Sequence, residues 1–241
     1  MTVATDVLTW GRERARAGPW RGDVRIAYLA PLPVGGGPVP LPSPEFLRRC
    51  LDTLAARGYT AVLTSALAPA EARSFFAVGF TEHERLRLLS HDLRHLPPPP
   101  PAGLRRGRAA DWPRVLEVDA SAFDRFWRLD RDGLDEALGA TPTTRFRVAT
   151  AASGGVVGYA VCGRAGAEGY VQRLAVRSSH RRTGLGSALV VDGLRWMRRW
   201  KVRRAVVNTQ LDNDAALALY VRLGFVPEPS DLTVLYADLG R

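Results

Sequence analysis

The segment Arg181-Arg182-Thr183-Gly184-Leu185-Gly186 narrows the choice of fold more than any other part of the chain. It follows a strand-like run, Tyr170 to Val176, and opens a stretch where Leu185, Leu189, Trp196 and Trp200 recur at helical intervals. Strand, glycine turn and helix in that order imply an α/β protein. Such a turn presents unpaired backbone N–H groups at the positive end of a helix dipole, a ready seat for a pyrophosphate. Glycines let the phosphate approach, and Arg181 or Arg182 can add charge-assisted contacts. A Walker loop would need Gly-Lys-Ser/Thr. A dinucleotide fingerprint would need a third small residue where Leu189 stands, and an acid ending the strand at Val206 to Thr209. Neither pattern is present.

Elements of both periodicities surround this turn. Leu104 to Arg108 reads as a short strand, and Asp111 as the cap of a helix bearing Trp112, Val115 and Leu116. A helix over Leu129 to Leu138 follows, then strands at Arg145 to Thr150 and Val156 to Cys162, separated by Ser153-Gly154-Gly155. After the helix from Gly184 come a buried strand at Ala205 to Val207 and an amphipathic helix carrying Ala216, Leu219, Tyr220 and Leu223, stopped by Gly224. Leu232 to Leu239 is read as the closing strand.

Pro97 to Pro101 cannot donate backbone hydrogen bonds and favour an extended path. The expected organisation is therefore residues 1–95 as a smaller α/β N-terminal half-domain, 96–102 as a linker and 103–241 as the main domain. In the N-terminal part, Val24 to Leu29 is strand-like, Ser43-Pro44-Glu45 starts a helix, and Gly35 to Gly37 reads as a surface loop. Thr60 to Phe80 can be laid on Ala205 to Phe225 without a gap. Val62 then meets Val207, Thr64 meets Thr209, Phe75 meets Tyr220, and Gly79-Phe80 meets Gly224-Phe225, a degenerate half-repeat.

The net charge of +10 invites a nucleic-acid reading. Yet Lys201 is the only lysine among 34 basic residues, and the arginines are spread along the chain instead of forming one stripe, so nucleic acid is not the expected partner. No run approaches the roughly 20 apolar residues of a membrane span, and Met1 to Arg12 has no apolar signal core. A soluble, cytoplasmic protein is the expectation. Cys50 and Cys162 sit in apolar periodic segments and read as buried free thiols.

Leu174-Ala175-Val176, Arg181-x-x-Gly-x-Gly, and Asn213-x-x-Ala-x-x-Leu-Tyr220-x-x-x-Gly-Phe225, at these separations, resemble the signature of the GNAT superfamily of acyl-CoA-dependent N-acetyltransferases. The resemblance covers Gly103 to Leu239. It implies a GNAT fold, a mixed central sheet flanked by helices and splayed where the strands ending near Val176 and Leu211 part to admit CoA. It also implies that the amides of Arg182, Thr183, Gly184, Leu185, Gly186 and Ser187 bind the CoA pyrophosphate beside Arg181. The strand Leu174, Ala175, Val176 would pair with the pantetheine arm, one of its amides polarising the thioester carbonyl. Asn213 would cap its helix and reach toward CoA.

Tyr220 matches the tyrosine that in many members protonates the departing thiolate, while its place in an apolar i, i+3, i+4 set is equally that of a core aromatic. Many relatives carry a glutamate base on a strand flanking the acceptor; the corresponding positions here hold Tyr170 and Asn208. Asp130, Asp132 or Glu168 acting through water, or an acceptor amine of low pKa that needs no strong base, are the alternatives. Phe123, Trp127 and Asp130 fall where such enzymes build the acceptor site. The N-terminal part, with no Arg-x-x-Gly-x-Gly, is expected to bind no CoA. His91 and His95 have helical ligand spacing without supporting residues, so no metal is expected. The reading is an N-acetyltransferase that moves acetyl from acetyl-CoA to a primary amine, small molecule or protein N-terminus, by direct transfer in a ternary complex. The alternative is a non-catalytic acyl-CoA-binding regulatory module.

Overall fold

A computed structural model describes residues 6–32 and 41–240; the Gly35 to Gly37 stretch lies outside the described residues. The chain divides into two compact units, Met1–Arg87 with Pro229–Arg241, and Leu88–Glu228.

The first unit begins with β1 (Asp6–Trp10), β2 (Glu13–Trp20) and β3 (Asp23–Pro31), which form an antiparallel meander. α1 (Pro44–Ala56) starts where the Ser43 hydroxyl accepts the Phe46 amide at 3.1 Å and itself donates to the Glu13 carboxylate at 2.7 Å. Phe46, Leu47, Cys50 and Leu54 are buried, the stripe that the sequence spacing implies. β4 (Ala61–Thr64) runs parallel to β3, and α2 (Pro69–Phe76) leads into β5 (Thr81–His91).

The second unit takes the end of β5, then β6 (Leu104–Arg106), α3 (Trp112–Ala122), α4 (Arg131–Gly139), β7 (Thr143–Thr150), β8 (Val156–Ala165), β9 (Glu168–Val176), α5 (Leu185–Arg199), β10 (Arg204–Gln210), α6 (Asp214–Arg222) and β11 (Val226–Pro227). β6 to β9 pair antiparallel in chain order, and β10 adds to β9 in parallel. Adjacent residues of β8 show the layering. Val161 joins Val115, Val118 and Leu134 of α3 and α4, whereas Cys162 joins Val190, Leu194 and Tyr220 of α5 and α6. Successive strand residues point to opposite faces, so each face of the sheet carries a helix pair.

The last strand, β12 (Leu232–Asp238), corrects one expectation. It does not close the second unit. It lies in the first, between β4 and β5, with Tyr236 opposite Leu63 and Leu232 opposite Leu86. The proline run likewise lies inside the second unit, because the chain before it, Leu89, Leu93 and Leu96, belongs to that unit's core. Pro100 sits 3.3 Å from where a Cβ on Gly184 would stand.

The half-repeat is visible in three dimensions. Gly79 has φ +93 and Gly224 φ +95; the Phe80 amide closes on the Phe75 carbonyl at 3.2 Å, and the Phe225 amide on the Tyr220 carbonyl at 3.0 Å. Both helices therefore end in the same glycine-dependent cap. Phe75 and Phe80 meet edge to face at 5.2 Å, as Tyr220 and Phe225 do at 5.5 Å. The first unit thus repeats the α6 end of the second, with Phe75, which lacks a hydroxyl, at the place of Tyr220.

His91, near the end of β5, is buried among these residues. Its Nδ1 accepts the Leu93 amide at 2.8 Å, which leaves Nε2 to donate to the Leu223 carbonyl at 3.1 Å. Burial lowers its pKa, partly opposed by the Leu223 bond and the charge of Asp92. The unfolded chain binds the proton more readily, so this contribution to stability is present above the ordinary value of 6.5 and lost as pH falls below it. Urea midpoints at about pH 7.5 and 5.5 are expected to differ less in His91→Asn than in wild type. Equal declines in the two proteins would contradict this.

Candidate functional site

The parallel ladder between β9 and β10 consists of Glu168↔Arg204, Gly169↔Ala205 and Tyr170↔Val206 and then stops, although β9 runs on to Val176 and β10 to Gln210. Beyond Tyr170 the two strands part, as the sequence reading anticipated. Leu174, Ala175 and Val176 keep their β8 partners, Ala160, Tyr159 and Gly158, so only the edge toward β10 is open. The register also slips there: Cys162 faces Val171 and Val161 faces Arg173, leaving Gln172 as a bulge. A bulge sharpens local twist where the strands diverge. An extended amide-bearing ligand can pair with such an edge as a strand would.

The glycine segment stands at the end of this opening. Ser178 to His180 make a single 3-10 turn, the Thr183 hydroxyl donates to the His180 carbonyl at 2.8 Å, and Arg182 and Gly184 adopt φ +60 and +86. Ala188 makes the first ladder bond of α5, to Gly184, so the amides of Leu185, Gly186 and Ser187 precede the ladder. Gly184 is required twice over, by its left-handed backbone and by Pro100. A Cβ on Gly186 would meet Leu219 at an ordinary 3.4 Å. Arg181 is exposed and reaches the Ala122 carbonyl at 3.4 Å, and Arg222 reaches the Ser187 hydroxyl at 3.5 Å.

Asn213 caps α6, its Oδ1 accepting the Ala216 amide at 3.1 Å. Tyr220 is 5% exposed, and burial raises the pKa of its hydroxyl, with the charge of Arg173 opposing. The phenol therefore stays protonated at neutral pH, the form a general acid needs.

The carboxylates considered as bases are occupied or exposed. Asp130 caps α4, accepting the Gly133 amide at 2.8 Å; Glu168 pairs with Arg204 at 3.5 Å; Asp132 is exposed in the first turn of α4. Tyr170 is half-buried at the last rung of the β9–β10 ladder, and Asn208 is exposed beyond it. Phe123 and Trp127 are half-buried in the connection between α3 and α4, and the Arg173 guanidinium lies 3.5 Å over the Phe123 ring. The sequence reading missed Asp119. This wholly buried carboxylate binds Arg173 and Tyr159, and its sole sequence cue is an acid on the apolar stripe of α3. Among the described residues no cluster of His, Cys, Asp or Glu is arranged to hold a metal, and no helix is long and apolar enough to cross a membrane.

Comparison with known proteins adds independent observations. Residues 112–225 match the model described as the acetyltransferase (GNAT) family. N-alpha-acetyltransferase 30 of Homo sapiens is 41% identical over 58 residues, 24% of this chain and 16% of that protein. Mycothiol acetyltransferase of Streptomyces coelicolor is 41% identical over 64 residues, 27% of this chain and 21% of that protein. The chain thus spans about a fifth of these curated relatives. Among solved structures, a tandem GNAT protein from the clavulanic acid biosynthesis pathway superimposes with TM-score 0.67 at 17% identity, covering 95% of this chain and 79% of that one. A GCN5-related N-acetyltransferase from Kribbella flavida gives TM-score 0.62 at 18% identity, covering 99% and 91%. At these identities the structural matches bear on the fold.

Proposed function

We propose that this protein, whose residues 112–225 match the acetyltransferase (GNAT) family model, transfers an acetyl group from acetyl-CoA to a primary amine. The observation that carries the proposal is the meeting of an open β9 edge with the unladdered amides of Leu185 to Ser187 at one end of a splayed sheet. The pantetheine amides would pair along Leu174 to Val176, and the pyrophosphate would lie over the start of α5 beside Arg181 and Arg182. The thioester carbonyl would receive a β9 amide, which stabilises the oxygen as charge develops. The acceptor's nitrogen lone pair forms the C–N bond, the C–S bond breaks, and the leaving thiolate takes the proton of Tyr220. The surplus ammonium proton passes to water, and a proton from water restores the Tyr220 hydroxyl, so that the enzyme ends the cycle unchanged. Proximity of the two substrates supplies much of the rate.

With Asp130 and Glu168 already engaged, an acceptor whose amine has an appreciable neutral fraction near neutral pH suits the site best. An α-amino group of pKa about 8 qualifies, and the name of the human relative makes a protein N-terminus one candidate. The same engagement of the carboxylates favours the second reading, a non-catalytic acyl-CoA-binding module. Thiol release from acetyl-CoA with a panel of amines separates the two.

Acetyl-CoA at about 100 times its Kd is expected to stabilise the protein by about 2.7 kcal/mol and to raise its melting temperature. Gly186→Asp is expected to abolish that rise. Its Cβ has room, and a carboxylate suits a helix N-terminus, so the variant should fold while its charge repels the pyrophosphate. Absence of any thermal or calorimetric response in wild type at millimolar acetyl-CoA would remove the proposal's foundation.

A further inference from the structure

Asp119 has no solvent exposure, and its two oxygens accept the Tyr159 hydroxyl at 2.5 Å, Arg173 Nε at 2.8 Å, Arg173 Nη2 at 2.9 Å and the Leu129 amide at 2.7 Å. All four acceptor positions of the carboxylate are thereby engaged. Arg173 in turn donates to the Trp127 carbonyl at 2.7 Å and covers the Phe123 ring. The connection between α3 and α4 is thereby fastened at Phe123, Trp127 and Leu129 to a single ion pair. The guanidinium belongs to β9, next to the bulge at Gln172 and one residue before the open segment that begins at Leu174. Stability does not explain the choice, because apolar residues commonly replace a buried ion pair without loss. What a guanidinium offers over an apolar filler is direction: a fork for the carboxylate, a further donor for a carbonyl, and a flat face for a ring.

We propose that Arg173 and Asp119 are positioning residues for the acceptor, holding the 123–130 connection as one wall of the acceptor site in fixed register with the open edge of β9. The proposal rests on the acetyltransferase reading, and deepens it by naming what builds the second substrate's site. A wall held from the reacting strand itself is a direct way to fix where the acceptor binds beside the open edge of β9, and loosening it is felt first in acceptor binding.

The test is Arg173→Lys, assayed with whichever amine supports thiol release by wild type. Lysine keeps a positive charge opposite Asp119, and so preserves the fold, but an ammonium cannot serve fork, carbonyl and ring together. The acceptor KM is expected to rise about tenfold or more with kcat falling less than about threefold, and acetyl-CoA affinity by calorimetry to stay within about twofold. Tyr159→Phe, which removes one donor to Asp119 and no charge, should move the acceptor KM the same way by a smaller factor, and decides the matter if the lysine variant does not fold. An acceptor KM within about twofold of wild type in the folded variants overturns the proposal alone, whatever their melting temperatures. So does a parallel loss of acetyl-CoA affinity, which marks general damage. Wild-type protein that releases no thiol with any amine overturns the acetyltransferase reading, and this proposal with it.

Discussion

Replacing Tyr220 with phenylalanine is expected to lower turnover about 10²- to 10⁴-fold, the range typical of a lost general acid. The ring is buried against Phe225 at 5.5 Å, and phenylalanine preserves that contact, so the melting temperature should change little. Acetyl-CoA affinity should also hold, since the amides at the start of α5 are untouched. The substitution therefore isolates one atom. Burial keeps the phenol protonated, so its O–H is available to hydrogen-bond to the thiolate as negative charge develops there. If the residue merely packs, as Phe75 does at the equivalent place in the first unit, turnover of Tyr220→Phe should match wild type. Single-turnover measurements are the appropriate readout, because slow product release can mask a change in chemistry.

A fragment beginning at Pro101 is expected not to fold, despite containing the whole segment that matches the family. The loss has two sources. β12 would have neither of its partners, β4 and β5, leaving a strand with both edges bare. The second unit would lose Leu89 and Leu93 from its core, together with His91 and its bond to the end of α6. At about 1.5–3 kcal/mol for each buried leucine, those side chains alone consume a large part of the 5–15 kcal/mol that separates a folded domain from its unfolded chain. Near-ultraviolet circular dichroism and thermal scans should show no cooperative transition. A fragment that melts cooperatively and binds acetyl-CoA would refute this account.

That expectation reverses the one suggested by the proline run, and the reason shows how far the sequence could be read. The helices, the strand–glycine–helix unit and the repeat were legible because each is announced locally: Ser43 before Pro44, glycine at 58, 79 and 224, leucines at helical spacing. The splay was legible through the resemblance. β2 was not, since arginines alternate with small residues there, and Ala15 and Ala17 give little apolar signal though both are buried. β5 begins with a charged run, and its buried positions, Leu86, Leu89 and His91, do not follow a simple alternation. The placement of β12 is a long-range pairing that no local pattern encodes. Asp119 was missed for a related reason. An aspartate on a helix reads as a solvated group until the arginine, tyrosine and amide that enclose it are brought together from three other segments.

The position of β12 also sets an order of events on the ribosome. β4 and β5 emerge long before residues 232–238, and at about 5–20 residues per second β12 follows them by roughly seven to thirty seconds. During that interval the nascent first unit shows two strand edges bordering a vacancy of one strand's width, an invitation to any extended segment nearby. Slower decoding of the intervening stretch would lengthen the exposure, and chaperones that shield unpaired edges would matter most during synthesis of residues 90 to 230.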